Sequence, residues 1–231
     1  MFELSPTEWT AIQLSLRVAV VATLVATPFG IALAWLLARR DFWGKSILDA
    51  TIHLPLVLPP VVTGYLLLLT FGRRGMVGAW LADHLGIVFA FRWTGAALAC
   101  GVMSFPLLVR PIRLSIEAID RRLEQASSTL GAAPWQVFAT VTLPLALPGV
   151  LAGMVLGFAK AIGEFGATIT FVSNIPGETQ TISSAIYSLI QTPDGDAAAM
   201  RLVLISIVIA TAALIASEWF ARRATQRLHG N

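Results

Sequence analysis

The chain has 231 residues, 56% of them hydrophobic and only 13% charged, with a mean hydropathy of +0.76 and a formal net charge of +3. An ordinary soluble domain carries about 25% charge to cover its exterior, so this composition excludes a soluble fold and points to a polytopic membrane protein. The one cysteine, Cys100, lies in an apolar run, and the histidines stand apart at 53, 84 and 229; these exclude a disulfide framework, a thiolate cluster and a histidine metal site.

The opening MFELSPTEWT is acidic before its apolar run and does not look like a cleaved signal peptide. The first hydrophobic segment is therefore expected to be retained. Candidate spans run over 12–38, 48–70, 93–113, 145–172 and 200–221, against a usual length of about 17–25 residues. Backbone groups cannot stay unpaired in hydrocarbon, so these spans are expected to be helices. In the first, Arg17 sits where a long side chain reaches the interface. The second holds Pro55, Pro59 and Pro60, followed by Gly64, and is expected to be broken or kinked. That break suits a permeation wall and equally a static kink.

Between the third and fourth spans lies a polar island, Arg110 to Gln136. Leu123, Ala126, Ser127 and Leu130 follow the spacing of one helical face, with Arg121, Arg122, Gln125 and Ser128 mostly on the other. Gly131 ends or bends this helix, and Pro134 suits the first turn of a second one that carries Trp135 and Phe138. Leu143-Pro144 and Leu147-Pro148 then disturb entry into the fourth span. A helix–glycine–helix with small residues suits a partner groove; resting on lipid is the alternative, which the weak apolar face disfavours.

Within the fourth span, Gly149, Gly153 and Gly157 form a flat strip that permits close helix contact. Lys160 and Glu164 follow, four residues apart and so on one helix face. Charges inside a span face the bundle interior or a watery path, and this pair fits either a neutral tie between helices or a gate. Gly163 and Gly166 flank Glu164 and permit local bending. Thr168, Thr170, Ser173 and Asn174 supply hydroxyls and an amide suited to lining a dianion path. Pro176-Gly177 marks a turn, and Ile182 to Gln191 is expected to form a short helix before the fifth span.

Five spans put the termini on opposite sides. The segments 38–47, 110–136 and 222–231 hold Arg39, Arg40, Lys45, Arg110, Arg113, Arg121, Arg122, Arg222, Arg223 and Arg227. The other side holds Arg73, Arg74, Arg92 and Arg201 against Glu3, Glu8, Asp83, Glu178, Asp194 and Asp196. The positive-inside rule therefore predicts an N-terminus outside, a cytoplasmic C-terminus and a cytoplasmic island.

Glu124, Ala126, Gly131, Val141, Leu143 and Pro144 resemble the "EAA" signature of binding-protein-dependent ABC transporter permeases. In this sequence Gln125-Ala126-Ser127 fills the tripeptide slot, Glu124 stands just before it, and Val141 replaces isoleucine. The spacing from Gly131 to Leu143-Pro144 is that of the family. The resemblance implies an all-α bundle of the type I ABC importer fold, a single permease domain over 1–231, and a cytoplasmic coupling segment at about 118–142. It assigns Glu124, Ala126, Gly131, Leu143 and Pro144 to coupling with an ATPase. GEFGATITFVSNIPGETQTI, Gly163 to Ile182, is similar to the molybdate-transporting members of that family, with tungstate or sulfate as alternatives. Lys160, Glu164, Thr168, Ser173 and Asn174 then stand as gate or path residues.

The family further implies a homodimer, two ATP-binding subunits, a periplasmic molybdate-binding protein and a location in a bacterial inner membrane among lipid. No cofactor and no nucleic acid are expected. The chain has no glycine-rich phosphate loop ending in Gly-Lys-Ser or Gly-Lys-Thr and no nucleophile–base–acid set, so hydrolysis is expected in the partner and not here. A secondary ion-coupled transporter is the competing class, but the spans show no convincing internal repeat.

Overall fold

The computed structural model describes residues 4–229, with side chains described as far as Ala216 and at Trp219. Glu3 and the side chains of Arg222, Arg223 and Arg227, used above for orientation, lie outside the described residues. Every regular element among the described residues is helical.

Helix α1, Pro6–Arg39, begins with a capping box in which the Ser5 hydroxyl accepts the Glu8 N–H and the Glu8 carboxylate accepts the Ser5 N–H. Residues 18–38, between Arg17 and Arg39, carry no charge; at about 1.5 Å per residue they cover about 31 Å, close to the hydrocarbon thickness of about 30 Å. The hydroxyls of Thr23 and Thr27 donate to carbonyls one turn back, at 2.8 and 2.7 Å, so neither is left unpaired in lipid.

The second predicted span is two helices, α2 (Lys45–Val57) and α3 (Pro60–Phe71), bent by 116° at Leu58-Pro59. Pro59 and Pro60 lack amide hydrogens and force residues 58 and 59 into extended backbone, which ends one helix and starts the next. Helix α4, Met76–Leu85, was not signalled by periodicity; it caps the turn after α3. Helix α5, Trp93–Glu117, lies at the centre against both α1 and the long helix that begins at Leu143.

The polar island forms α6 (Arg121–Thr129) and α7 (Pro134–Val137), separated at Gly131, as the spacing predicted. A π turn over Phe138–Thr142 leads into α8, Leu143–Ile162. Pro144 has no N–H and its ring crowds the carbonyl four residues back; the wider turn, in which the Leu143 N–H donates to the Phe138 carbonyl, relieves both demands. The prolines thus modify the helix without interrupting it, and Pro134–Ile162 is one continuous helical stretch, long and apolar enough to cross a membrane.

The fourth span, expected as one helix over 145–172, is broken. Helix α8 ends at Ile162, and α9, Gly166–Val172, starts beyond a non-helical Gly163–Phe165. Helix α10, Ile182–Leu189, and α11, Asp196–His229, complete the described residues. Among the described residues, four helices are long and apolar enough to cross a membrane, or five if α2 and α3 together make one crossing.

Helix α9 packs on α3 at very short range: a Cβ built on Gly64 would lie 2.5 Å from the Ala167 carbonyl oxygen. Gly64→Val is therefore expected to destabilise the bundle by about 1–3 kcal/mol, read as a lower unfolding midpoint of the purified protein in detergent. Gly101→Ala, whose Cβ would meet nothing closer than 3.8 Å, should leave the midpoint in place. Equal midpoints for both variants would contradict this account of the α3–α9 contact.

Candidate functional site

Two assemblies stand out, one at the α6 end of the bundle and one at the α8–α9 break. At the first, Asp120 caps α6 by accepting the Arg122 N–H at 2.9 Å. Gly131 then adopts φ +88°, a left-handed conformation natural to glycine, and the chain turns into α7. Nothing on α6 is buried. Leu130, Trp135 and Leu123 remain 89%, 70% and 50% exposed, so these three apolar residues project away from the bundle.

Glu124 does the opposite. Its carboxylate accepts a hydrogen bond from the Thr142 hydroxyl at 2.6 Å and pairs with the Arg39 guanidinium at 3.0 Å. Arg39 also donates to the Ile119 carbonyl at 3.2 Å, in the turn that leads to α6. One carboxylate thereby joins the end of α1, the π turn and α6, and the Arg39 side chain is only 8% exposed. Trp35 of α1 meets Phe138 edge-on, with centroids 6.0 Å apart, and holds the π turn from the same side. Ala126 and Gly131 are exposed, whereas Leu143 and Pro144 are partly buried and Leu143 packs into the core. Gln125, which occupies the first tripeptide slot, is exposed, while Glu124 beside it faces inward.

At the second assembly, Lys160 donates to Glu164 at 2.7 Å across the start of the break. The other Glu164 carboxylate oxygen accepts the Ala167 N–H at 3.0 Å, supplying a partner for the first turn of α9. Glu164 is buried and the Lys160 side chain is 30% exposed, so the acid is sequestered and the cation reaches the edge. The Thr168 hydroxyl is occupied by the Phe165 carbonyl at 2.8 Å.

Ser173 and Asn174 belong elsewhere, beyond the far end of α9. Ser173 has φ +67°, a rare conformation for a residue with a side chain. The Asn174 amide donates to the Ser188 hydroxyl of α10 at 2.7 Å, while its Oδ1 is buried with no protein partner. The predicted path residues are thus in two places, Lys160, Glu164 and Thr168 at the break and Ser173 with Asn174 on the α9–α10 side. Sequence reasoning missed Arg39 and Thr142 as partners of Glu124, and Thr63 of α3, a buried hydroxyl that no protein group satisfies. No local pattern signals the first pair, because Arg39 and Glu124 are 85 positions apart.

Residues 26–226 match the family described as the binding-protein-dependent transport system inner membrane component. The chain belongs to that family. It is 60% identical over 97% of its length, and 98% of the relative's, to the molybdenum transport system permease protein ModB of Escherichia coli K12. The Haemophilus influenzae protein of the same name is 58% identical, with 96% of each chain covered. Among solved structures, a bacterial ABC transporter involved in import of the acidic polysaccharide alginate gives a TM-score of 0.74 at 19% identity, covering 96% of this chain and 81% of that one. That likeness establishes the all-helical ABC importer permease fold. The protein is accordingly a multi-pass inner-membrane permease subunit.

The Arg39–Glu124–Thr142 junction is expected to hold α6 in place. Glu124→Gln removes charge-assisted hydrogen bonds worth about 1.5–3 kcal/mol, which corresponds to about ten- to a hundredfold faster amide exchange confined to 119–130. Thr142→Val should act in the same direction and more weakly. Unchanged exchange in both variants would mean that the junction does not restrain α6.

Proposed function

We propose that this chain is the membrane-spanning permease subunit of an ATP-driven molybdate importer. The observation that carries the reading is its near full-length identity to molybdenum transport permeases. The working unit is a homodimer with two ATP-binding subunits in the cytoplasm and a periplasmic molybdate-binding protein at the outer mouth. The basic residues gathered near Arg39 and α6 favour a cytoplasmic location for that end and a periplasmic N-terminus.

The tip formed by Ala126, Leu130, Gly131 and Trp135 docks into the ATP-binding subunit, since it is the exposed part of a segment that is otherwise secured to the bundle. Glu124 serves as the strut behind it. Movement of the tip passes through the Glu124–Thr142 hydrogen bond and the π turn into α8. At the other end of α8, Gly163–Phe165 forms the hinge and the Lys160–Glu164 pair its restraint, so that α9 moves with α3 between inward-open and outward-open states. Because Glu164 neutralises Lys160, the path avoids a deep anion trap. Hydroxyls at Thr63 and Ser173 and the Asn174 amide suit brief contacts with a tetrahedral dianion.

Reconstituted with the ATP-binding and periplasmic subunits, the chain is expected to take up molybdate only with ATP, with tungstate competing strongly and sulfate weakly. Uptake driven by an ion gradient without ATP would favour a secondary transporter, and sulfate as the stronger competitor would reassign the cargo. Gly131→Leu should lower transport per ATP by about five- to 150-fold, a coupling loss of about 1–3 kcal/mol, with membrane insertion intact. Normal transport with Gly131→Leu would remove the tip from the docking role. Glu164→Gln is expected to slow uptake while leaving the order of the three oxyanions unchanged; a switch to sulfate would make Glu164 a selectivity residue instead.

A further inference from the structure

A groove of about 670 Å³ runs along the seam of α1, α2 and α5, within the volume range of small-molecule sites, about 300–1,000 Å³. Its α1 wall is Val21, Val25, Phe29 and Leu33, at four-residue spacing on one helix face. Gly101 of α5 opens its floor, and the one hydroxyl on its α2 wall, that of Thr51, is turned to its own helix at 2.8 Å from the Ile47 carbonyl oxygen. From Val21 to Leu33 the groove is about 18 Å long. One leaflet of the hydrocarbon core is about 15 Å deep, half of about 30 Å, so the groove has the length and the apolar character of a single acyl chain.

The mouth of the groove is charged. Arg17 lies one turn before Val21 on the same face of α1, and its guanidinium sits 3.8 Å from the centroid of Trp93, which itself lines the groove. Arg17 also marks the end of the charge-free stretch of α1, which sets it at headgroup depth, where tryptophan is enriched. Arg92 is the neighbour of Trp93 in sequence and is exposed. No carboxylate is paired with Arg17 or Arg92 among the described residues. An apolar helix from a second copy would fill the groove but leave the cation at its mouth unanswered. A lipid phosphate answers it.

We propose that this groove is a phospholipid site, which takes one acyl chain between α1, α2 and α5 and an anionic headgroup at Arg17. The site is independent of the cargo that the permease carries. The test is native mass spectrometry of the full-length chain, co-purified with its ATP-binding subunit from nanodiscs holding equal parts phosphatidylglycerol and phosphatidylcholine. The wild type is expected to retain one phosphatidylglycerol per chain. Arg17→Gln should reduce the preference for phosphatidylglycerol about fivefold, the worth of one basic side chain near the surface. Gly101→Leu and Val25→Trp should each displace the lipid, the second at a position already 58% exposed and so tolerant of a larger side chain; Gly101→Ala should retain it. Unchanged retention in both filled variants, an unchanged headgroup preference in Arg17→Gln, or a ready disulfide between two copies of Val25→Cys would each overturn the assignment.

Discussion

The bundle depends on how closely α8 approaches α5. Lipid tails are as apolar as leucine, so no hydrophobic drive pulls two helices together inside a membrane, and contact must come from close packing. The strip Gly149, Gly153 and Gly157 provides it. A Cβ at Gly153 would stand 2.5 Å from the Leu108 carbonyl oxygen, and one at Gly149 would run into Ser115. Around this backbone-to-backbone seam the buried side chains are correspondingly dense, with Leu108, Val109 and Ile112 fully covered. Helix α1 lies along the same α5, so three helices share one rigid centre.

That centre has differently built ends. At the α6 end, ion pairs between separate elements do the joining: Arg39 with Glu124 at 3.0 Å, and Arg113 with Asp49 of α2 at 2.9 Å. Being partly screened from water, they are less weakened by salt than surface pairs. The opposite end has Glu8 of α1 paired with Arg201 of α11 at 3.0 Å. Between these ties the α8–α9 break leaves a short interruption, with its backbone needs met by Glu164 and its charge balanced by Lys160.

Much of this was legible in the sequence because lipid imposes simple rules. The charge-free run from Val18 to Ala38 had to be a helix, Pro59-Pro60 had to end one, and Gly131 followed by Pro134 had to separate two short ones. Gly163 and Gly166 marked a place to bend, but the full break at Gly163–Phe165 escaped because its residues are as apolar as their surroundings apart from Glu164, and composition alone reads such a run as continuous. Helix α4 escaped because ten residues, Met76–Leu85, make too short a periodic signal. The inward turn of Glu124 could not be read at all: its partners come from α1 and the π turn, and only the folded chain brings them together. Thr168 differs, because its hydroxyl donates locally, to the Phe165 carbonyl three residues back.

The π turn at Phe138–Thr142 has one more consequence. A residue added to or removed from a helix rotates everything beyond it by about 100°, since a turn holds 3.6 residues. The azimuth at which Trp135 and the Gly131 bend leave the bundle is therefore a matter of residue count between the α5–α8 seam and the tip, more than of which side chains occupy the interval. Exchanging surface residues there would keep that angle, but a single deletion would turn the tip toward a different side of the bundle.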